Sequence, residues 1–152
     1  MHGSSKEIAA RQALMKACSH ASASEMQAAI NSVIGAPVCT DLRRPEAGLV
    51  MLRGRIGGDG AAFNFGEATM SRAAVKLQSG EIGYSYLLGR DLVRARLAAI
   101  IDAIGQRAEH RERLEAGFVA SVMARVAAEA DRNRRRTAAT RVNFFTMVRG
   151  ED

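Results

Sequence analysis

The opening of the chain places its apolar residues at near-helical spacing. Ile8, Leu14 and Met15 lie among alanines in residues 6–18, and Met26, Ile30, Val33 and Ile34 form one stripe in residues 24–34. Two short amphipathic helices are therefore predicted. Ser24 with Gln27 three residues on reads as a weak capping box, Gly35 before Pro37 as a stop, and Pro45 as the close of a loop.

From residue 48 the period moves from 3.6 toward 2. GLVMLRGRI predicts a strand, Gly57-Gly58-Asp59-Gly60 a turn, and AAFNF a returning strand, which together make a hairpin. GEATMSRAAVKL alternates Ala73, Val75 and Leu77 after a more ambiguous start. Gln78-Ser79-Gly80-Glu81 then turns into IGYSYLLG, where Ile82, Tyr84, Tyr86 and Leu88 share one face. The pattern predicts an α+β fold with a small antiparallel sheet of three to four strands, one face packed on helices.

Asp91 can cap a long helix in which Val93, Leu97, Ile100, Ile101 and Ile104 recur on one side, and Gly105 marks its break. Beyond it, Leu114, Phe118, Val122 and Val126 form another stripe, with Glu109/Arg113 and Asp131/Arg135 as i,i+4 pairs on the wet side. A sheet already served by helices leaves this stripe without a home, so the helix is expected to stand partly off the body and need a partner. Residues 132–140 carry no apolar stripe, and RVNFFTMVRG then gathers Val142, Phe144, Phe145, Met147 and Val148 in what reads as a docking segment. The expected organisation is one domain: a compact body over residues 6–104, and a helical extension with a partner-binding tail over 105–152.

Composition narrows the class. The 152 residues are 47% apolar and 25% charged with two prolines, which disfavours a disordered chain. No run approaches the roughly 20 apolar residues of a membrane span, and no signal peptide is visible, so a cytoplasmic protein without a membrane partner is expected. Cys18 and Cys39 lack metal-ligand or redox spacing and read as small buried hydrophobes. The net charge of +6 belongs to one segment, because Arg132, Arg134, Arg135, Arg136, Arg141 and Arg149 lie in a stretch without acids.

The search for chemistry yields few candidates. His2, His20 and His110 are scattered, so neither a metal cluster nor a nucleophile with its base is supported; no catalytic or metal-binding residue is assigned. The glycine-rich turn lacks the Lys-Ser/Thr of a phosphate loop and is followed by a strand. The arginines at 134–136 could clamp phosphate, though a solvated helix end explains them more simply. Glu67 and Arg72 stand in an apolar strand region with Thr69 and Ser71, which marks either a buried ion pair or a contact surface. Residues 67, 69 and 71 would share one face, with Arg72 on the other. Arg90-Asp91 at the strand-to-helix corner offers an Asp cap or an interface arginine. Glu67, Arg72, Arg90, Asp91, Phe144, Phe145 and Arg149 are thus candidates for structural or partner-interface work.

Three blocks taken in series, FNFGEATMSRAAVKL (63–77), GEIGYSYLLGRD (80–91) with LAAIIDAI (97–104), and TRVNFFTMVRGED (140–152), resemble the PhnG family of the bacterial carbon–phosphorus lyase system. The resemblance covers nearly the whole chain. It implies a subunit acting with PhnH, PhnI and PhnL in a transferase step in which a phosphonate displaces adenine from MgATP, giving a ribose 1-phosphonate 5-triphosphate. It further implies a core complex with PhnH, PhnI and PhnJ, with PhnI as direct partner. MgATP is then a substrate of the complex, and no cofactor is bound by this subunit alone. The catalytic groups would sit on partner subunits, with residues 106–150 wrapping PhnI.

Two other classes remain open to test. The pI of 10.1 raises a basic nucleic-acid-binding protein, opposed by 5% aromatics and by the lack of a recognition motif. A self-sufficient small enzyme would have to use Glu67 or Asp91, and no activated base accompanies either.

Overall fold

A computed structural model describes residues 5–140 apart from 56, 58 and 59. The elements run α1 (Ser5–His20), α2 (Ala23–Ile34), β1 (Cys39–Gly54), β2 (Phe63–Leu77), β3 (Ile82–Leu88), α3 (Leu92–Ile104), α4 (Ala108–Leu114), a π-helical turn (Glu115–Val119) and α5 (Ala120–Ala139). Among the described residues the strands form one antiparallel sheet in the order β1-β2-β3. The class is α+β, as the periodicity predicts.

The first departures from the sequence reading are local. Ser22, not Ser24, caps α2: its Oγ accepts from the Glu25 amide at 3.2 Å, and Glu25 Oε2 accepts from the Ser22 amide at 2.7 Å. The same i,i+3 pattern occurs at Ser22/Glu25 and at Ser24/Gln27, and the earlier one forms the box because α2 starts at Ala23. Pro45 lies within a strand rather than closing a loop, since β1 begins at Cys39. β1 is an edge strand, where a missing N–H costs nothing, and register shifts flank this stretch between Asp41 and Arg43 and between Arg43 and Glu46. AAFNF and GEATMSRAAVKL fuse into the single 15-residue β2, so the sheet has three strands rather than four.

One face of the sheet carries the core. Ser71, Ala73, Val75 and Leu77 of β2 and Gly83, Ser85 and Leu87 of β3 are buried beneath α3. The buried hydroxyls are satisfied there: Ser85 Oγ donates to the Ala95 carbonyl at 2.6 Å and Ser71 Oγ to the Leu87 carbonyl at 3.4 Å. Tyr84, Tyr86 and Leu88 occupy the opposite, exposed face, so the aromatic side of β3 is the outer one. Gly83 explains the choice, because a Cβ there would stand 2.0 Å from the Ala99 carbonyl oxygen and 2.5 Å from the Ala103 nitrogen. The helix therefore seats directly on backbone, and larger residues are driven to the other side.

Asp91 caps α3 as expected, accepting from the Arg94 amide at 2.9 Å, and Gly105 ends the helix. Leu97, Ile100, Ile101 and Ile104 are buried, whereas Val93 at the first turn is exposed. The stripe expected to lack a home has one. Leu114, Phe118 and Val122 join the same core as α1, α2 and α3, and Val126 packs against it. The π-turn makes this fit. A spacing of four drifts by about 40° per step on an α-helix of 3.6 residues per turn, and the wider turn at 115–119 offsets that drift. Arg113 does not pair with Glu109 but donates to the Val33 carbonyl at 2.9 Å and to that of Ser32, closing the end of α2. Asp131 and Arg135 do pair. From residue 127 the helix is exposed apart from a half-buried Asp131. Phe144, Phe145 and Arg149 lie outside the described residues.

Candidate functional site

Register decides where the polar strand residues go. Glu67 is opposite Met51, while Arg72 is opposite Glu46 on β1 and Tyr86 on β3. Glu67 and Arg72 therefore fall on different faces. Arg72 Nε donates to Glu46 Oε1 at 2.8 Å, and Arg43 Nη1 reaches the same oxygen at 2.8 Å. The two arginines, Arg43 first, hold the Glu46 carboxyl below its ordinary range. Glu67, Arg72 and Arg90 are exposed, and Asp91 is engaged as the α3 cap.

Sequence reasoning missed the deepest ionic group. Asp102, on the core side of α3, accepts from Arg11 Nε at 2.7 Å, from Arg11 Nη2 at 2.6 Å and from the Tyr84 amide at 2.9 Å. Its side chain is 1% exposed, against 54% for Arg11. The fork-to-fork geometry raises the Arg11 pKa chiefly through the hydrogen bonds to Asp102. A signal was present: Asp102 is the lone charge in the apolar run LAAIIDAI, and a charge there needs a partner. Beside the pair lies a pocket of about 200 Å³ that also touches Glu7, Gln106 and Arg111.

Other arginines join elements in the same manner. Arg94 Nη2 donates to the Ser19 carbonyl at 3.0 Å and the Cys18 carbonyl at 3.2 Å. Arg96 meets Asp41 at 2.9 Å and Cys39 Sγ at 3.2 Å. Arg125 reaches the His20 carbonyl at 2.9 Å and Glu25 at 3.2 Å. Cys18 is buried as read from sequence, and desolvation pushes its thiol up to about 12; Cys39 is half-buried.

The remaining polar group is at the β2–β3 turn. Glu81 is hydrogen-bonded by Ser79 and by Arg107, which in that order bring its carboxyl down to about 2. It borders an apolar pocket of about 360 Å³ that includes Val38, Leu77, Ile104 and His110. A carboxylate so held stays ionised throughout the neutral range and serves as an anchor rather than a proton acceptor. Among the described residues, no group of three or more His, Cys, Asp or Glu could hold a metal ion, and no helix is long and apolar enough to cross a membrane. The arginines at 132, 134, 135 and 136 are all exposed on the end of α5.

Comparison with known proteins adds what geometry does not. Residues 9–150 match the family model described as phosphonate metabolism protein PhnG. A curated protein of Rhizobium meliloti (strain 1021), named alpha-D-ribose 1-methylphosphonate 5-triphosphate synthase subunit PhnG, is 51% identical over 145 residues, covering 95% of this chain and 92% of that protein.

Proposed function

Because the chain belongs to the PhnG family of phosphonate metabolism proteins, we propose that it is a subunit of alpha-D-ribose 1-methylphosphonate 5-triphosphate synthase. The reaction is transfer of the ribose 5-triphosphate moiety of MgATP to an alkylphosphonate, with release of adenine, in the breakdown of organic phosphonates. The observation that carries this reading is the identity to a named synthase subunit sustained over nearly the whole chain.

Within that enzyme the chain is an accessory, non-autonomous subunit, with PhnI as its direct partner and PhnH, PhnL and PhnJ in the wider assembly. MgATP is the substrate of the assembled enzyme. The state of the chain's own polar groups supports an accessory role. Asp91 is occupied as a helix cap, Asp102 by Arg11, Glu81 by Arg107, and Glu46 by two arginines. Groups bound so tightly to one another position helices and strands; they do not move protons. The wrapping role then falls to the exposed end of α5 and to residues 141–150, because the stripe from Leu114 to Val122 is consumed in the chain's own core. The exposed arginines of α5 would add positive potential near a bound triphosphate.

Adenine release from MgATP plus methylphosphonate tests the reading, measured with co-expressed PhnH, PhnI and PhnL in the presence and absence of this chain. Release that depends on the chain is the expected result. Equal release without it refutes the assignment.

A further inference from the structure

Among the described residues, the helices cover one face of the sheet and leave the other bare. On β3 the bare face presents Tyr84, Tyr86 and Leu88, of which Tyr86 is 62% and Leu88 73% exposed. The register continues that face across the sheet, since Leu88 is opposite Met70 and Tyr86 opposite Arg72. Along β1 and β2 it extends beyond the reach of β3, which pairs only with Met70–Lys76. There β1 and β2 form a two-stranded ribbon, a structure of marginal stability in water when its faces stay open.

The ribbon's tip adds aromatic surface to the same face. A register shift between Leu52 and Arg53 makes Phe65 the extra residue of a bulge. The ring of Phe65 lies over Gly54, where an added Cβ would come 2.8 Å from it, so glycine is what allows the ring to lie flat there. Phe63 is opposite Gly54 and meets Phe65 edge-to-face at 6.3 Å. Phe65 is 60% exposed. An open apolar band of this kind marks an interaction surface.

We infer that this bare face, from Tyr84 and Tyr86 to Phe65 and Phe63, is the docking surface for another subunit of the same synthase, one presenting an apolar surface edged with carboxylates. The inference rests on the proposed subunit role. Charge complementarity names the occupant: Arg43, Arg72 and Lys76 lie in register with the face, and Glu46 is the acid among them. Glu46 engages both arginines and fixes their guanidiniums beside the apolar band. Arginines held in that way are poor phosphate clamps and good rim groups for a protein partner. Tyrosine and arginine are also among the residue types that dominate protein–protein affinity.

The test uses the full chain co-expressed with the other synthase subunits, comparing wild type with the double variant Tyr86→Ser/Phe65→Ser. Both residues are exposed, so the variant chain alone should keep its far-UV circular dichroism and melt within about 2 °C of wild type. Expected is a loss of about thirtyfold or more in affinity for the partner, the scale of a removed hot-spot residue. Slowed amide exchange in residues 63–68 and 84–88 of the wild-type complex is expected with it. A variant that assembles like wild type, or a complex whose ribbon amides exchange as in the free chain, overturns the inference and leaves the subunit role standing. A wild-type chain that assembles with none of the subunits overturns both. Self-association of the free chain, or binding to single-stranded oligonucleotide, that is lost in the variant would replace the partner with a second copy or a nucleic acid and also overturns it.

Discussion

Substituting either member of the Arg11–Asp102 pair tests whether burial, rather than pairing as such, sets its energetics. Asp102 is almost wholly enclosed while Arg11 is about half exposed. Arg11→Ala strands a carboxylate in the core with the Tyr84 amide as its remaining contact. Breaking a fully buried pair from one side costs about 3–5 kcal/mol. The exposure of Arg11 means water already screens part of its attraction, which discounts the figure to about 2–3 kcal/mol. Asp102→Asn keeps the volume, its amide oxygen can still accept from Tyr84, and the released guanidinium turns into water. That change should cost about 1–2 kcal/mol, the worth of the lost charge-assisted bonds. The double variant should resemble Asp102→Asn alone, because a neutral amide no longer needs the arginine. Urea unfolding of the full chain at pH 7 reads all three. The corresponding drop in Tm for Arg11→Ala is about 5–10 °C for a domain of this size. If Asp102→Asn proved more damaging than Arg11→Ala, or if Arg11→Ala cost less than about 0.5 kcal/mol, the argument from unequal burial would be wrong.

Other consequences follow from single positions. Gly83→Ala places a methyl group inside the backbone of α3 and should abolish a soluble, cooperatively melting chain, whereas Gly66→Ala, where an added Cβ meets nothing within 4 Å, should fold and melt almost like wild type. Iodoacetamide at pH 8 should alkylate half-buried Cys39 well before Cys18, whose thiol burial holds up to about 12; mass mapping of the native protein checks the order. Glu81 has its folded carboxyl lowered from the ordinary range to about 2, so its contribution is present above about pH 4.5 and disappears as pH falls toward 2. Wild type and Glu81→Gln should accordingly differ in urea midpoint at pH 7 and converge in acid. Truncation after Arg132 spares the core stripe and should leave a folded chain that no longer assembles; normal co-purification of the truncated chain would remove the wrapping role from residues beyond 132.

Long-period signals were legible in the sequence and local competition was not. Asp91 before an apolar helix, Gly105 after it and the alternation of Ala73, Val75 and Leu77 all lie where their spacing places them. Pro45 misled because a proline in an edge strand looks in sequence like a proline in a loop. The alternation in β3 leaves open which of its faces is buried; the deciding contact, helix backbone against Gly83, spans 16 residues or more of chain and has no local signature. The stripe at 114, 118 and 122 has no evident home in the sequence because the sheet is already served by helices; its place in the core shared with α1, α2 and α3, with the π-turn between, follows from tertiary packing. Of the candidate polar residues, Arg72 lies on the strand face opposite Glu67, as the alternation predicts, and its ion pair is with Glu46. Glu46 lies between Pro45 and the strand predicted from residue 48, so its partnership across the strands has no sequence signal. Asp102 was readable in principle as an isolated charge in an apolar run.

At its start the outer edge of β3 is met by side chains rather than by a fourth strand: Asp102 takes the Tyr84 amide and Gln106 Nε2 donates to the Ile82 carbonyl at 2.6 Å. On the opposite edge, β1 carries Pro45 and an irregular register. Open strand edges recruit other chains indiscriminately, by backbone pairing that any sequence can supply. With those edges blunted, a chain translated ahead of its partners is guarded against polymerising through its sheet. Association is left to faces, where side chains rather than backbone decide the match, so the same groups that hold the fold together also make the subunit wait for the correct companion.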